Sequence, residues 1–342
     1  MLTNYLISQD WASLRAFFEV NAPVSAQDFH ARGILEIAEN GGRVDWRAVL
    51  ADLSKACERA PANPIFRANF AQALIDSGSP DEGYLQAVQA VLLGPQLYSP
   101  LEKLALAAEE LHRWEEAREA AVRAALALER KQTVPEPTGR LLMQLQSRWW
   151  LPLVSASLTL RRPQPSDSDF IDGLFSDADY LRRFHRFQRS GQQEVRHFIE
   201  VAQQSPYRSR RLDWIVCNHK GLQLGQAGLV AIDWENRRAE LVVGFPGQPP
   251  VMAALQTSLR VIDFAFRTLG LAKLVSYVYA DNPKAQSNTL HLGFRNEGLL
   301  RGHVSWGCDR IDVYVNGMLA VDYEADGRLQ KLCARWLFVS PA

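Results

Sequence analysis

The sequence predicts an α+β chain: an N-terminal all-α helix-pair repeat array over residues 1–145, then a mixed-sheet α/β domain over residues 146–342. Three observations carry that reading. Up to about Trp149 the chain is rich in Ala, Leu, Glu and Arg, with apolar residues three and four apart, which is the period of a helix. From Ser157 onward, short β-branched and aromatic runs alternate with two or three helical segments, the pattern of an α/β domain. Between them stand Pro135, Pro137 and Gly139, which end the helix before them. A helix over 140–150 is expected to bridge to the second domain.

In the first half, small residues recur 34 apart: Ala71 with Ala105, Gly83 with Ala117, Ala90 with Ala124, and one period earlier Ala56 with Ala90 and Pro61 with Pro95. Small side chains let paired helices approach closely, and a proline after each second helix turns the chain into the next pair. Asp81-Glu82 and Glu115-Glu116 occupy equivalent helix starts, where carboxylates suit the helix dipole. Ser99, followed by Pro100 and Glu102, is expected to cap another helix. This period and pattern resemble the tetratricopeptide repeat, about three copies over 32–130. The aromatic positions of that repeat are mostly Leu or Ala here. Such an array has no chemistry of its own. It is expected to hold a protein or peptide partner, or to pack on a copy of itself as a homodimer.

Composition narrows the function classes. The chain has 342 residues, 47% hydrophobic and 22% charged, enough for two cores and too apolar for global disorder. Lys+Arg and Asp+Glu both total 38, so there is no basic excess of the kind that marks nucleic acid or anionic lipid as a partner. The four cysteines, Cys57, Cys217, Cys308 and Cys333, lack metal-ligand spacing and read as reduced thiols of a cytoplasmic protein. His185 and His197 have no neighbours at ligand spacing either, so no metal is expected. No secretory signal is evident, and no apolar run long enough to cross a membrane is seen.

The stretch from Arg238 to Val315 carries the chemistry. In order come a strand over 240–243, a Gly- and Pro-bearing turn, an amphipathic helix, a strand over 274–279, a helix opened by Asn282-Pro283 and closed by Gly293, and closing strands around 312–315. On the amphipathic helix Leu255, Leu259, Ile262, Phe266 and Leu269 share one stripe, while Gln256, Arg260, Asp263 and Arg267 are expected to face away. Gly270 ends it. Further strands are expected over 157–160, 214–217, 228–232 and 311–315.

The order Asn282, Leu292-Gly293-Phe294, Glu297-Gly298, Arg301-Gly-His303, then Asp312-Val-Tyr-Val, together with the opening run 158–167, resembles the GNAT superfamily of N-acetyltransferases. Within it, the branch that acetylates ribosomal-protein N-termini is most similar. The resemblance covers about 157–319. It implies a GNAT fold, acetyl-CoA or another acyl-CoA as co-substrate, and transfer of the acyl group to an amine. It implies a slot between two parallel strands, 240–245 and 273–279, that part from each other. The backbone of Val242, Val243, Gly244 and Phe245 would hold the pantetheine arm. Gly247, Gln248, Val251 and Met252 would stand at the phosphates, with Asn282 capping the next helix and touching the cofactor. The family's glycine-rich phosphate loop is replaced by a shorter one with Pro249 and Pro250, which have no N–H to donate. Arg208, Arg210 and Arg211 are alternative phosphate ligands, and equally a solvated charge run.

For catalysis the resemblance implies Glu240 as base. The family's acid position falls on Thr289 and another hydroxyl position on Ala285, leaving Ser287 as the nearest hydroxyl. His291 could shuttle a proton, or simply pack. The basic aromatic stretch from Tyr180 to Arg189 (Arg182, Arg183, His185, Arg186, Arg189) could select an acidic acceptor or form an exposed loop. Two functions therefore stand side by side: an acyl-CoA-dependent N-acyltransferase acting on an amine, with a protein or peptide acceptor presented by the helical repeats as one option, and a catalytically inactive GNAT-fold binding or scaffold module.

Overall fold

The computed structural model describes residues 2–128, 132–184, 190–306 and 308–337, with the side chains of 183 and 184 left aside. The chain divides into two compact units, Met1–Arg148 and Trp149–Ala342.

The first unit is helical. Its helices are α1 (Leu2–Ser8), α2 (Trp11–Val20), α3 (Ala26–Asn40), α4 (Trp46–Arg59), α5 (Pro64–Asp76), α6 (Pro80–Leu93), α7 (Tyr98–Glu110), α8 (Trp114–Leu126) and α9 (Glu136–Leu145). Neighbours pack as α3 with α4, α5 with α6 and α7 with α8. The small residues at 34-residue spacing lie inside these pairs: Ala56, Ala71, Ala90, Ala105, Ala117 and Ala124 are buried. At Gly83 the packing is closest, because a β-carbon there would stand 2.7 Å from the Ile75 side chain and 2.9 Å from the Ala71 carbonyl oxygen.

Two expected boundaries move. Ser99 does not cap α7, which begins at Tyr98 with Leu97 before it. Instead Tyr98 reaches forward one turn and donates to buried Glu102 (2.5 Å), while its hydroxyl also meets Thr138 of α9 at 2.9 Å. The helix expected over 140–150 begins four residues earlier, at Glu136, with Pro137 in its first turn. Proline there loses no hydrogen bond, so it opens this helix instead of separating it from the chain before.

The second unit is built on one sheet. Its strands are β1 (Leu153–Val154), β2 (Leu158–Arg161), β3 (Leu212–Asn218), β4 (Gln223–Asp233), β5 (Arg238–Gly244), β6 (Lys273–Tyr279), β7 (Arg295–Trp306) and β8 (Asp309–Leu319). Among the described residues they lie in the order β1-β2-β3-β4-β5-β6-β8-β7. Every pairing is antiparallel except β5 with β6. This is the α+β fold class and mixed sheet expected from the sequence. The whole of β7 is longer than the sequence pattern suggested. It is an edge strand with mostly exposed residues, so it carries little of the alternation that marks a half-buried strand.

The remaining helices are α10 (Ser168–Ser176), α11 (Ala178–Phe184), α12 (Gln192–Gln203), α13 (Pro206–Ser209), α14 (Ala253–Asp263), α15 (Pro283–His291), α16 (Ala320–Ala325) and α17 (Gly327–Trp336). One core joins Ile171, Phe175, Tyr180, Phe198 and Ile199 of the α10–α12 layer to Ile215, Val230 and Val242 of the sheet. On the other face Phe264, at the end of α14, meets Trp214 edge-on at 5.8 Å.

The helix α14 departs from the simple stripe. Gln256 and Asp263, expected to face away, are buried. Gln256 accepts from Ser157 at 3.0 Å, and Asp263 accepts from the Tyr323 hydroxyl at 2.9 Å. After Asp263 the helix widens into a π-helical turn, Phe264–Thr268, which rotates the side chains beyond it relative to a regular α-helix. Both sides of α14 are therefore covered, with polar partners supplied where the polar stripe goes inside.

Candidate functional site

The only parallel pair among the described strands is also the one that opens. β5 and β6 share three register pairs, Arg238 with Lys273, Ala239 with Leu274 and Glu240 with Val275. Beyond Glu240 they part. Leu241, Val242, Val243 and Gly244 remain paired with β4 on their outer side, and residues 276–279 remain paired with β8 on theirs. Each strand thus presents one backbone edge inward with no strand opposite it. Such groups cost about 1–3 kcal/mol each if shut away without a partner, so the cleft is made for water or for a ligand that hydrogen-bonds backbone. A β-bulge lies in β4 between Val230 and Asp233, where Ala231 has φ 49. A bulge adds local twist, and this one sits beside the register at which β5 leaves β6.

The opening forms a cavity of about 170 Å³ lined by Leu241–Val243, residues 276–279, Ala254 and Ser258 of α14, Asn288 and Thr289 of α15, and Leu292 just after it, among others. A second cavity of about 510 Å³ adjoins it, sharing Ala254, Ser258, Asn288 and Leu292. Its walls are Gln248, Pro249, Pro250, Val251, Met252 and Leu255 on one side, and Lys284, His291, Arg328 and Leu332 on the other. The two form one channel, narrow between the strands and wide at its outer end.

The expected site residues distribute along it unevenly. Val242 and Val243 line the narrow part, and Gln248, Val251 and Met252 line the wide part. Gly244 continues β5 between them. The Phe245 ring lies against β4, since a β-carbon on Gly225 would come within 2.6 Å of it. Gly247 turns the chain with φ 61. Asn282 caps α15, its side chain accepting the Ala285 N–H at 3.1 Å.

Glu240 is half-buried at the root of the cleft, at the last register before the strands part. Alternation along the strands puts it on the same sheet face as Val242 and, through Val275, as Tyr277 and Tyr279. Ser287 points elsewhere. With Ala280, Gln286, Leu290, His291 and Tyr314 it lines a separate cavity on the other side of α15. Its hydroxyl is 3.3 Å from His291 Nδ1, which lies closer, 2.8 Å, to the Ser287 carbonyl oxygen. A ring N–H committed to that carbonyl leaves no lone pair on Nδ1 to activate the hydroxyl.

Of the alternative phosphate ligands, Arg211 is held by Asp213 through two hydrogen bonds of 2.6 and 2.7 Å. Neither Arg208, Arg210 nor Arg211 lines the channel. In the basic aromatic stretch Tyr180 is a core residue and Arg182 pairs with Asp281 at 2.8 Å. The side chains of Arg183, His185, Arg186 and Arg189 lie outside the described residues. The channel-lining hydroxyls of Ser258, Ser276, Tyr277 and Tyr279, and the cations Lys284 and Arg328, carried no motif that sequence reasoning could use.

A mixed sheet whose one parallel pair among the described strands opens into a channel lined by α14 and α15 matches a GNAT fold. Residues 157–295 match the family model of an acetyltransferase (GNAT) domain, and the C-terminal unit carries such a domain. The chain is 25% identical over 178 residues to an uncharacterised N-acetyltransferase, p20, of Bacillus licheniformis, covering 50% of this chain and 97% of that one. It is 24% identical over 151 residues to a second uncharacterised N-acetyltransferase, YoaA, of Bacillus subtilis (strain 168), covering 43% and 84%. Among solved structures, the spermidine N-acetyltransferase of Vibrio cholerae in complex with CoA and spermine aligns with a TM-score of 0.45 at 22% identity, covering 49% of this chain and 98% of that one.

GNAT acetyltransferases use acetyl-CoA, and the channel fits its parts. The two backbone edges match the amides of a pantetheine arm, and the wider cavity has room and positive charge for a nucleotide. No cluster of three or more His, Cys, Asp or Glu able to hold a metal occurs among the described residues. No described helix is long and apolar enough to cross a membrane.

Proposed function

We propose that this chain transfers an acetyl group from acetyl-CoA to an amine of a protein or peptide, which the helical array presents. The observation that supports it above all is the parting of β5 from β6 after Glu240, which leaves two hydrogen-bonding edges facing one channel. When bound, acetyl-CoA supplies a thioester carbon open to attack and a thiolate as leaving group. The backbone of Val242 and Val243 fixes the arm so that this carbon sits at the root of the cleft, a matter of orientation worth several kcal/mol. Glu240 stands at that root and takes the proton of the attacking amine, directly or through one water. Tyr277 and Tyr279, on the same face, offer phenol protons for the departing thiolate.

The short loop with Pro249 and Pro250, the ribosomal-protein-like order of elements and the tetratricopeptide-like period belong to the same reading. The loop offers few amides, so phosphate binding falls to the N–H groups of Ala254 and Leu255 in the first turn of α14, and to side chains. The array offers a surface for a chain-like acceptor. The test is turnover by the full chain, followed as free thiol released from acetyl-CoA, with N-terminal peptides, lysine peptides, amino sugars and polyamines as acceptors. Release above background with at least one peptide is expected. Glu240→Gln is expected to lower kcat several-fold without abolishing it, and to flatten the rise of rate with pH. Tight acetyl-CoA binding with no release from any amine would instead fit a non-catalytic binding module.

A further inference from the structure

The wide end of the channel has an electrostatic character that the acetyltransferase family match does not cover. Its lining includes Lys284, Arg328 and His291, and among the described residues that line it there is no carboxylate. Both full cations stand in the first turn of a helix, Lys284 in α15 and Arg328 in α17. There the helix dipole favours anions and opposes positive charge. The first turn of α14 opens on the same cavity. Neutralisation from within the chain is slight. Arg328 reaches Asp326 Oδ2 only at 3.5 Å, the long end of hydrogen-bond range, while Oδ1 of that carboxylate accepts the backbone N–H groups of Arg328 and Leu329. Two cations placed against local preference around one cavity raise each other's cost unless an anion sits between them.

The same cavity wall contains Pro249 and Pro250, which offer no N–H groups. The segment that brings Arg328 and Leu332 lies wholly beyond the matched residues 157–295. We infer that α17 is part of the cofactor site, with Arg328 and Lys284 binding the phosphate groups of CoA in place of the amide donors that the prolines remove. Leu332, Leu255 and Met252 supply the apolar wall against which a purine packs. This assignment rests on the acetyl-CoA reading above and adds to it a binding element supplied by the C-terminal helix.

The experiment is calorimetric titration of the full chain with acetyl-CoA and with S-acetyl-pantetheine, which lacks every phosphate, using wild type, Arg328→Gln, Lys284→Gln and the control Lys331→Gln. Lys331 is on the same helix and does not line the cavity. Arg328→Gln and Lys284→Gln are each expected to weaken acetyl-CoA about tenfold or more, the scale of one charge-assisted contact. Acetyl-pantetheine affinity is expected to stay as in wild type, and Lys331→Gln to behave as wild type with both ligands. The salt dependence of acetyl-CoA binding is expected to be shallower in the two variants. Wild-type affinity in Arg328→Gln, or equal weakening of both ligands, would overturn the assignment while leaving the transferase reading intact. A wild type that binds neither ligand would remove both.

Discussion

Replacing Asp167 with Ala is expected to destabilise the C-terminal unit by about 3–5 kcal/mol. The carboxylate is fully buried. It accepts two 2.7 Å hydrogen bonds from Arg161, one of 2.9 Å from Gln223 and one of 2.7 Å from the Gln164 N–H. Arg161 ends β2, and Asp167 ends the short turn of 3₁₀ helix that leads into α10. The cluster therefore fixes the angle at which the α10–α12 layer leaves the sheet. Removing the carboxylate leaves a partly buried guanidinium without its partner and a side-chain amide without its acceptor, and the penalty is mostly theirs.

Burial acting alone would raise the carboxyl's pKa, but Arg161, Gln223 and the Gln164 N–H together hold it below its ordinary value. A depressed folded pKa stabilises the fold above the unfolded pKa near 3.9, and that stabilisation is lost as pH falls through the folded value. Urea unfolding at pH 7 is expected to show the full loss for Asp167→Ala. As pH falls through the folded-state value, below the unfolded pKa, the difference from wild type is expected to shrink. A double variant, Arg161→Met with Asp167→Leu, is expected to recover a large part of the loss, since a well-packed apolar pair of similar volume often equals a buried ion pair. A wild-type midpoint in Asp167→Ala would mean the pair does not anchor the layer.

Ala254→Trp is expected to weaken acetyl-CoA by at least about a hundredfold while leaving the fold intact. Ala254 is one of the residues common to the narrow and wide parts of the channel. It is only partly buried, at the start of α14, so a larger side chain can project into the channel without displacing the core. An indole at that junction fills much of a space of about 170 Å³ and separates the arm's subsite from the phosphates'. Losing the phosphate contacts or the arm contacts alone removes several kcal/mol of binding, and a hundredfold corresponds to about 2.7 kcal/mol. Calorimetry gives the affinity, and the thermal midpoint of the free protein shows whether the fold is kept. Unchanged affinity in a folded Ala254→Trp chain would place the cofactor elsewhere.

Much of this was legible in the sequence, for identifiable reasons. The order of elements from 238 to 315 was clear because punctuation is strong there: Gly270 and Gly293 take positive φ, and Asn282 caps with its own side chain. The slot could be placed from the family resemblance, and the register of β5 on β6 shows where it begins. Other features needed three dimensions. The polar stripe of α14 reads as solvent-facing in any periodicity argument, yet Ser157 and Tyr323, far away in sequence, make burial of Gln256 and Asp263 tolerable. Ser287 differs from the cleft-facing Asn288 and Thr289 only by rotation on one short helix. Lys284 and Arg328 look like ordinary surface cations at helix starts until the fold brings both to the same cavity.

In the proposed function the inner edges of β5 and β6 hold the acyl carrier. Amide hydrogen exchange on the full chain, with and without saturating acetyl-CoA, reads those edges residue by residue. The expected result is added protection concentrated at 241–244 and 276–279 and at the first turn of α14, with the outer ladders of β4 and β8 unchanged. Acetyl-CoA that binds but leaves 241–244 and 276–279 exchanging as in the free protein would mean that the carrier lies elsewhere.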